Sequence, residues 1–220
     1  MQSTLFELRP PPPRSFRPRE LELIDRLRTP HQVQRWLRTL HYNWERRGDT
    51  LRSFREVVAR GTAHCLEAAL VAAVILEQHS YPPILMSFES VDGIDHVIFA
   101  FRHKGKWGTV ARSRDAGLHG RKPIFKNVRH LALSYFDPYV DFTGRLTAYA
   151  LVNVNWLGEY DWRFNKKNMW KLEKYLLDYP HKPIYSSDQR YERLLKRYRE
   201  FKTLHPKRQA EYYENRHTWW

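Results

Sequence analysis

The segment GTAHCLEAALVAAVILEQHSYPP, residues 61–83, constrains this chain more than any other. Gly61-Thr62 supplies a turn and an N-cap, and Tyr81-Pro82-Pro83 stops continuation, so Ala63 to Gln78 reads as one helix. It is apolar on almost every side and has no face to offer water, so other elements must enclose it. Its longest apolar run, Ala68 to Leu76, is far short of the roughly 20 residues a membrane span needs. Enclosure therefore has to come from protein, and no membrane contact is expected.

The flanks supply the enclosing elements. RPPPPRSFRP at residues 9–18 favours polyproline II and excludes helix. The expected division is a flexible Pro-rich arm over 1–18, a single domain over 19–205 and a polar tail over 206–220. Within the domain, 19–28 reads as a short helix. Thr29 and Pro30 cap and start a second, amphipathic one over 30–46, with Val33, Trp36, Leu37 and Leu40 at helical spacing. Ser53 to Ala59 is a third helix. Ile84 to Phe88 is strand-like, and Asp95 to Arg102 and Lys106 to Arg112 are strands joined by a Lys104-Gly105 hairpin. Residues 113–130 are loop-rich, and 165–178 and 187–204 are helical patterns. The fold class is α+β, with a buried cysteine-bearing helix packed on an antiparallel sheet and additional C-terminal helices.

Cys65 is the one cysteine, so no intramolecular disulfide exists, and the N-terminal residues hold no apolar leader core. A cytoplasmic location is expected. There is no CxxC, HxxxH, GxxxxGK[ST] or GxGxxG, so neither a metal nor a cofactor is expected. Lys and Arg number 38 against 24 Asp and Glu, a net charge of +14. Residues 102–129 concentrate this, with nine Lys/Arg and one acid, Asp115. That density fits a solvated basic face, an anionic substrate or acidic partner, or nucleic acid.

Cys65 falls in the first turn of the apolar helix, where free amides and the helix dipole favour a thiolate; the plain alternative is a small core residue. His96 opens an apolar strand directly after Asp95. A helix-borne Cys and a strand-borne His are the two parts of a thiolate–imidazole pair. Among the other histidines, His64 is next to Cys65, and neighbours on a helix point apart, so it reads as a poor base. His79 lies near the far helix end, and His103 falls on the opposite strand face from His96.

RGTAHCLEAA (60–69), DHVI (95–98) and GKWGTV (105–110), in that order, resemble the transglutaminase-like, papain-related superfamily, as does the helix from Thr29 to Trp44. The likeness covers about residues 30–150. It implies a cysteine-dependent hydrolase or acyltransferase acting on a peptide, amide or other acyl substrate, with Cys65 as nucleophile and His96 as base. The family's third member, an Asp about four residues after the Trp, falls on Ala111 here. Hairpin register places Ser113 opposite His96 as a substitute orienter, with Asp115 as the charged alternative. The loop that follows points Arg121 and Lys122 at the cleft as binders of an anionic substrate. The competing expectation is an inactive module of the same fold that binds an acidic partner or nucleic acid.

Overall fold

The computed structural model describes residues 9–93, 96–141 and 144–220. The architecture is α+β: among these residues are seven α-helices, a five-stranded antiparallel sheet and a two-stranded parallel pair. Helix α1 (Pro18–Arg26), α2 (Pro30–Leu37) and α3 (Phe54–Arg60) precede the central helix α4 (Cys65–Glu77). Every residue of α4 from Leu66 to Glu77 is buried. Leu23 and Ile24 of α1, Val33 and Leu37 of α2, and Phe54 and Val57 of α3 enclose it on one side. The sheet face bearing Leu85, Val97, Phe99 and Val152 closes the other. Its far end is anchored by a buried fork: Arg163 donates from Nε (2.6 Å) and Nη2 (2.7 Å) to the Glu77 carboxylate.

Helix α2 starts as the sequence predicts, with Thr29 Oγ1 accepting from Gln32 N and Pro30 in the first turn. It stops at Leu37, nine residues before the expected end at 46. The chain is then needed for strand β1 (His41–Tyr42), which pairs in parallel with β2 (Thr62–Ala63). That pairing also moves the start of the central helix. Asn43 N donates to Ala63 O at 3.1 Å, so 62–63 is extended, and His64 rather than Thr62 is the N-cap.

The sheet runs β5-β4-β3-β6-β7, with β3 Ile84–Ser90, β4 His96–His103, β5 Lys106–Val110, β6 Leu146–Asn153 and β7 Lys182–Pro183. Lys104 (φ 47°) and Gly105 (φ 76°) are both left-handed, the geometry of a tight hairpin that matches strand twist. The register is the expected one, His103 opposite Lys106. It does not continue to residue 113. At Ala111 the buried side chain of Gln34, from α2, takes over the pairing: Ala111 N donates to Gln34 Oε1 and Gln34 Nε2 donates to Ala111 O, both at 2.9 Å. The chain peels off the sheet there. The second sheet face carries Met86, Phe88, Ile98 and Ala100. Helix α5 (Val128–Tyr139) packs on it through Leu131, Tyr135 and Phe136, and α7 (Asp188–Leu204) through Leu195. Helix α6 (Trp170–Asp178) begins five residues later than its sequence pattern. Neither α5 nor β6 was anticipated, and no helix among the described residues is long and apolar enough to cross a membrane.

Both ends depart from expectation. Of the Pro-rich arm, residues 1–8 lie outside the described residues, but Phe16 is buried with its ring edge-on to Phe54 and Phe164. Residues 206–220 are docked. Trp220 stacks on His31 at 5.0 Å and donates from Nε1 to Thr109 O at 2.8 Å, while Lys122 N donates to Thr218 O. The tail is polar by composition, but its two terminal indoles bury apolar area that a polarity average hides.

Gln34→Ala removes both partners of the Ala111 peptide and leaves a buried N–H and C=O unmet. The expected loss is about 2–4 kcal/mol of stability, read from urea unfolding midpoints at unchanged slope.

Candidate functional site

Cys65, half-buried, is the first residue of α4 and opens onto a cavity of about 510 Å³. The imidazoles of His64 and His96 both stand near its sulfur, and each lowers the thiol's pKa. The second was expected and the first was not. Neighbours diverge within a helix, but His64 is the cap, with extended backbone (φ −90°, ψ −173°). Its ring is therefore free to swing back over the first turn.

Each ring is held by a backbone carbonyl. His64 Nε2 lies 2.9 Å from Thr50 O, and His96 Nε2 lies 3.0 Å from Leu118 O. A carbonyl only accepts, so each Nε2 carries a proton and each Nδ1 is left with its lone pair or its second proton for the sulfur. Behind His64 stand two carboxylates, Glu67 Oε1 at 3.7 Å and Glu45 Oε1 at 3.9 Å from Nε2. Glu67 is fully buried yet fully engaged. Its carboxylate accepts from Arg52 N (2.9 Å), His64 N (3.0 Å), Asn43 Nδ2 (3.1 Å) and Thr50 Oγ1 (3.3 Å).

The electrostatics follow from this layout. Burial alone would push the Cys65 thiol up, but the hydrogen bonds and positive charge of His64 and His96 outweigh it and hold the thiol well below its ordinary range. Burial likewise opposes charge on His64. The hydrogen bond and charge of the Cys65 thiolate, the Glu67 carboxylate and the Thr50 carbonyl overcome it and raise the imidazole to about 9. The two shifts favour the same state, a thiolate beside an imidazolium, with the Cys65 thiol held down and the His64 imidazole raised to about 9. Tyr42, across the cleft, is pushed up to about 12 by burial and by that thiolate.

The expected orienters of His96 do not take that part. Ser113 Oγ accepts from Asp115 N at 3.2 Å, because the chain has already left the sheet at Ala111. Asp115 lines the cavity with a half-exposed carboxylate 3.5 Å from Arg114 Nε, and its charge reaches His96 only through space. Burial raises its pKa. Asp95 lies outside the described residues. Arg121 and Lys122 do not face the cleft either. Arg121 is fully buried and Lys122 Nζ donates to His217 O at 3.0 Å. A loop leaving the sheet at 113 would bring them to the cleft; instead residues 121–125 turn back and pair with the free edge of β5 at Thr109 and Trp107.

The cavity is in fact lined by carboxylates. Glu45, Asp49, Asp92, Asp115, Asp141 and Glu173 border it, against the cations Arg114 and Lys202. Low-dielectric walls focus that field, so the cleft is negative within a strongly basic protein. His64 and Glu67 are the site residues the sequence reading missed. Their signal was present: His64 and Glu67 stand three apart at a helix start, the spacing of a cap and its reciprocal acid.

No protein-family model and no curated protein matches the chain.

Alkylation of Cys65 by iodoacetamide is expected to continue at about pH 6, well below the ordinary thiol range near 8.5. His64→Ala and His96→Ala should each raise the apparent thiol pKa by about one unit or more, slowing the reaction at pH 6 about tenfold. Glu67→Gln should act in the same direction by weakening the His64 imidazolium.

Proposed function

We propose that this chain is a cysteine-dependent acyl-transfer enzyme, a hydrolase or acyltransferase of transglutaminase-like, papain-related design, acting on an amide, peptide or related acyl bond. One observation carries the reading: a cysteine at a helix N-terminus shares with two imidazoles, His64 and His96, a cavity large enough for a peptide segment. The succession of buried Cys helix and antiparallel His strand supports the family resemblance.

In this mechanism the Cys65 thiolate attacks the acyl carbonyl and a C–S bond forms. The first amides of α4 stabilise the resulting oxyanion. Collapse expels the amine, which takes a proton from an imidazolium and leaves a thioester on Cys65. Water, or a second nucleophile, then gives its proton to the neutral imidazole and attacks the thioester, and the thiolate is restored. The two histidines divide the work. His64, backed by Glu67, holds positive charge beside the sulfur; His96, held by a neutral carbonyl, exchanges its proton readily with leaving group and water.

A second reading is a binding module for an acidic partner or nucleic acid. It is favoured by the exposed Arg102, Lys104, Lys126 and Arg129, none of which borders the cavity. The two readings part on turnover. With p-nitrophenyl acetate the enzyme should release a stoichiometric burst of p-nitrophenolate, carry one acetyl group on Cys65 by intact mass, and then deacylate. Cys65→Ala should abolish the burst. An acetyl group that stays on Cys65 indefinitely, or no burst at all, would leave the binding module as the better account.

Cleft charge also sets a substrate preference. A cationic thiol reagent, trimethylammonioethyl methanethiosulfonate, should modify Cys65 faster than the anionic sulfonatoethyl analogue. With each rate divided by that for a free small thiolate, the expected margin is about tenfold at low salt. It should shrink at about 1 M salt, where the screening length falls to roughly 3 Å.

A further inference from the structure

Arg121 is a buried cation that the proposed chemistry does not use. Its guanidinium is fully buried, and its acceptors are all neutral oxygens. Nη1 donates to His119 O (2.7 Å), Nη2 to Gly117 O (2.6 Å) and Ser134 O (3.2 Å), and Nε to Ser134 Oγ (3.3 Å). Its faces are covered by Tyr135 at 4.0 Å and Trp219 at 5.2 Å. Burying a cation without a carboxylate is costly, and here it lowers the guanidinium to about 10. Such a group needs a reason.

The reason lies in which carbonyls it holds. Gly117 and His119 flank Leu118, and Leu118 O is the oxygen that orients His96. Arg121 itself cannot drift, because its backbone is paired in both directions with Thr109 of β5. Other groups tighten the same turn. Tyr135 Oη donates to His119 O at 3.1 Å, and His119 Nε2 lies 3.0 Å from Ser113 O. Burial and the nearby Arg112 hold His119 down to about 4, so its ring is a neutral donor. The docked C-terminal segment closes over this arrangement. Asn215 Nδ2 donates to Ser134 O, which also receives Arg121, and Gln209 bonds Ala116 N.

We propose that Arg121 is a positioning residue for His96, acting through the Leu118 carbonyl, so that a clamped backbone oxygen does the orienting work expected of an acidic side chain. The inference rests on the reading of Cys65 and His96 as a working pair. By gripping the carbonyls on both sides, the guanidinium fixes the peptide between them, and with it the direction of His96 Nδ1. Lysine could do this only in part, since its ammonium has no planar fork to grip both carbonyls at once.

The test is the pH profile of Cys65 alkylation by iodoacetamide, a neutral reagent, from about pH 5 to about pH 10. Among the described residues, the titratable and charged groups facing the pair are His64, with Glu67 and Glu45 behind it, Tyr42, Asp115, His119 and Glu173. They are unchanged in every variant compared. Arg121→Met should lose about tenfold in rate near pH 6 while keeping the alkaline plateau, a shift of one unit in thiol pKa. Arg121→Lys should fall between Met and the native residue. In a His96→Ala background, Arg121→Met should change nothing further, because the route through His96 is already cut. A folded Arg121→Met protein with the native profile overturns the proposal, and so does an equal shift in the His96→Ala background. If the Met variant does not fold by circular dichroism, Arg121→Lys, which keeps the buried charge, carries the same comparison. An ordinary thiol profile in the native protein would instead defeat the reading of the site itself.

Discussion

The buried carboxylate of Glu67 is the interaction on which the rest of the site depends. It gathers the amides of Arg52 and His64, the Asn43 side chain and the Thr50 hydroxyl around the first turn of an otherwise apolar helix. Those bonds tie the 43–52 loop to the start of α4, and they hold His64 at the cap position rather than inside the helix. From that cap the ring reaches both the Cys65 sulfur and the Thr50 carbonyl. An uncompensated carboxylate at this depth would be expensive; four donors and a nearby Arg52 make it an anchor instead.

The two histidines are alike in their hydrogen bonds and different in their electrostatics. Both give Nε2–H to a main-chain oxygen. Among the described residues, carboxylates stand within 4 Å of the His64 ring and not of the His96 ring, and His64 is raised to about 9. His96 is directed by Leu118 O, which can orient but cannot neutralise a charge. On the proposed reading, charge stabilisation and orientation, commonly combined in one acid–histidine pair, fall to different rings. That assignment accounts for Ala111 standing where the resembled family places an acid: its peptide is occupied by Gln34 and the site has another source of negative charge.

Charge is partitioned on a larger scale too. Of the basic residues of 102–129 only Arg114 borders the cavity, while carboxylates from several segments converge on it. A field of that sign draws cations toward Cys65, and the His64 imidazolium offsets its effect on the thiolate at close range.

What the sequence determined is what local pattern can carry. The all-round apolarity of 63–78 demanded a buried helix, Thr29-Pro30 started α2, Lys104-Gly105 set the hairpin register, and the order Cys helix then His strand named Cys65 and His96. The missed elements were ones whose pattern is mixed. Helix α5 holds an internal Pro138, and β6 buries the consecutive residues Ala148, Tyr149 and Ala150 rather than strictly alternate ones, so neither stands out by period. Tertiary structure decided the rest because it depends on contacts between distant segments. The β1–β2 pairing moved the helix cap to His64; Gln34, 77 residues from Ala111, ended β5 early; and Leu118, 22 residues from His96, became its partner in place of Ser113. No window of sequence contains both halves of any of these bonds. A buried polar group takes whichever partner the packed chain brings within reach, and that choice exists only once the chain is packed.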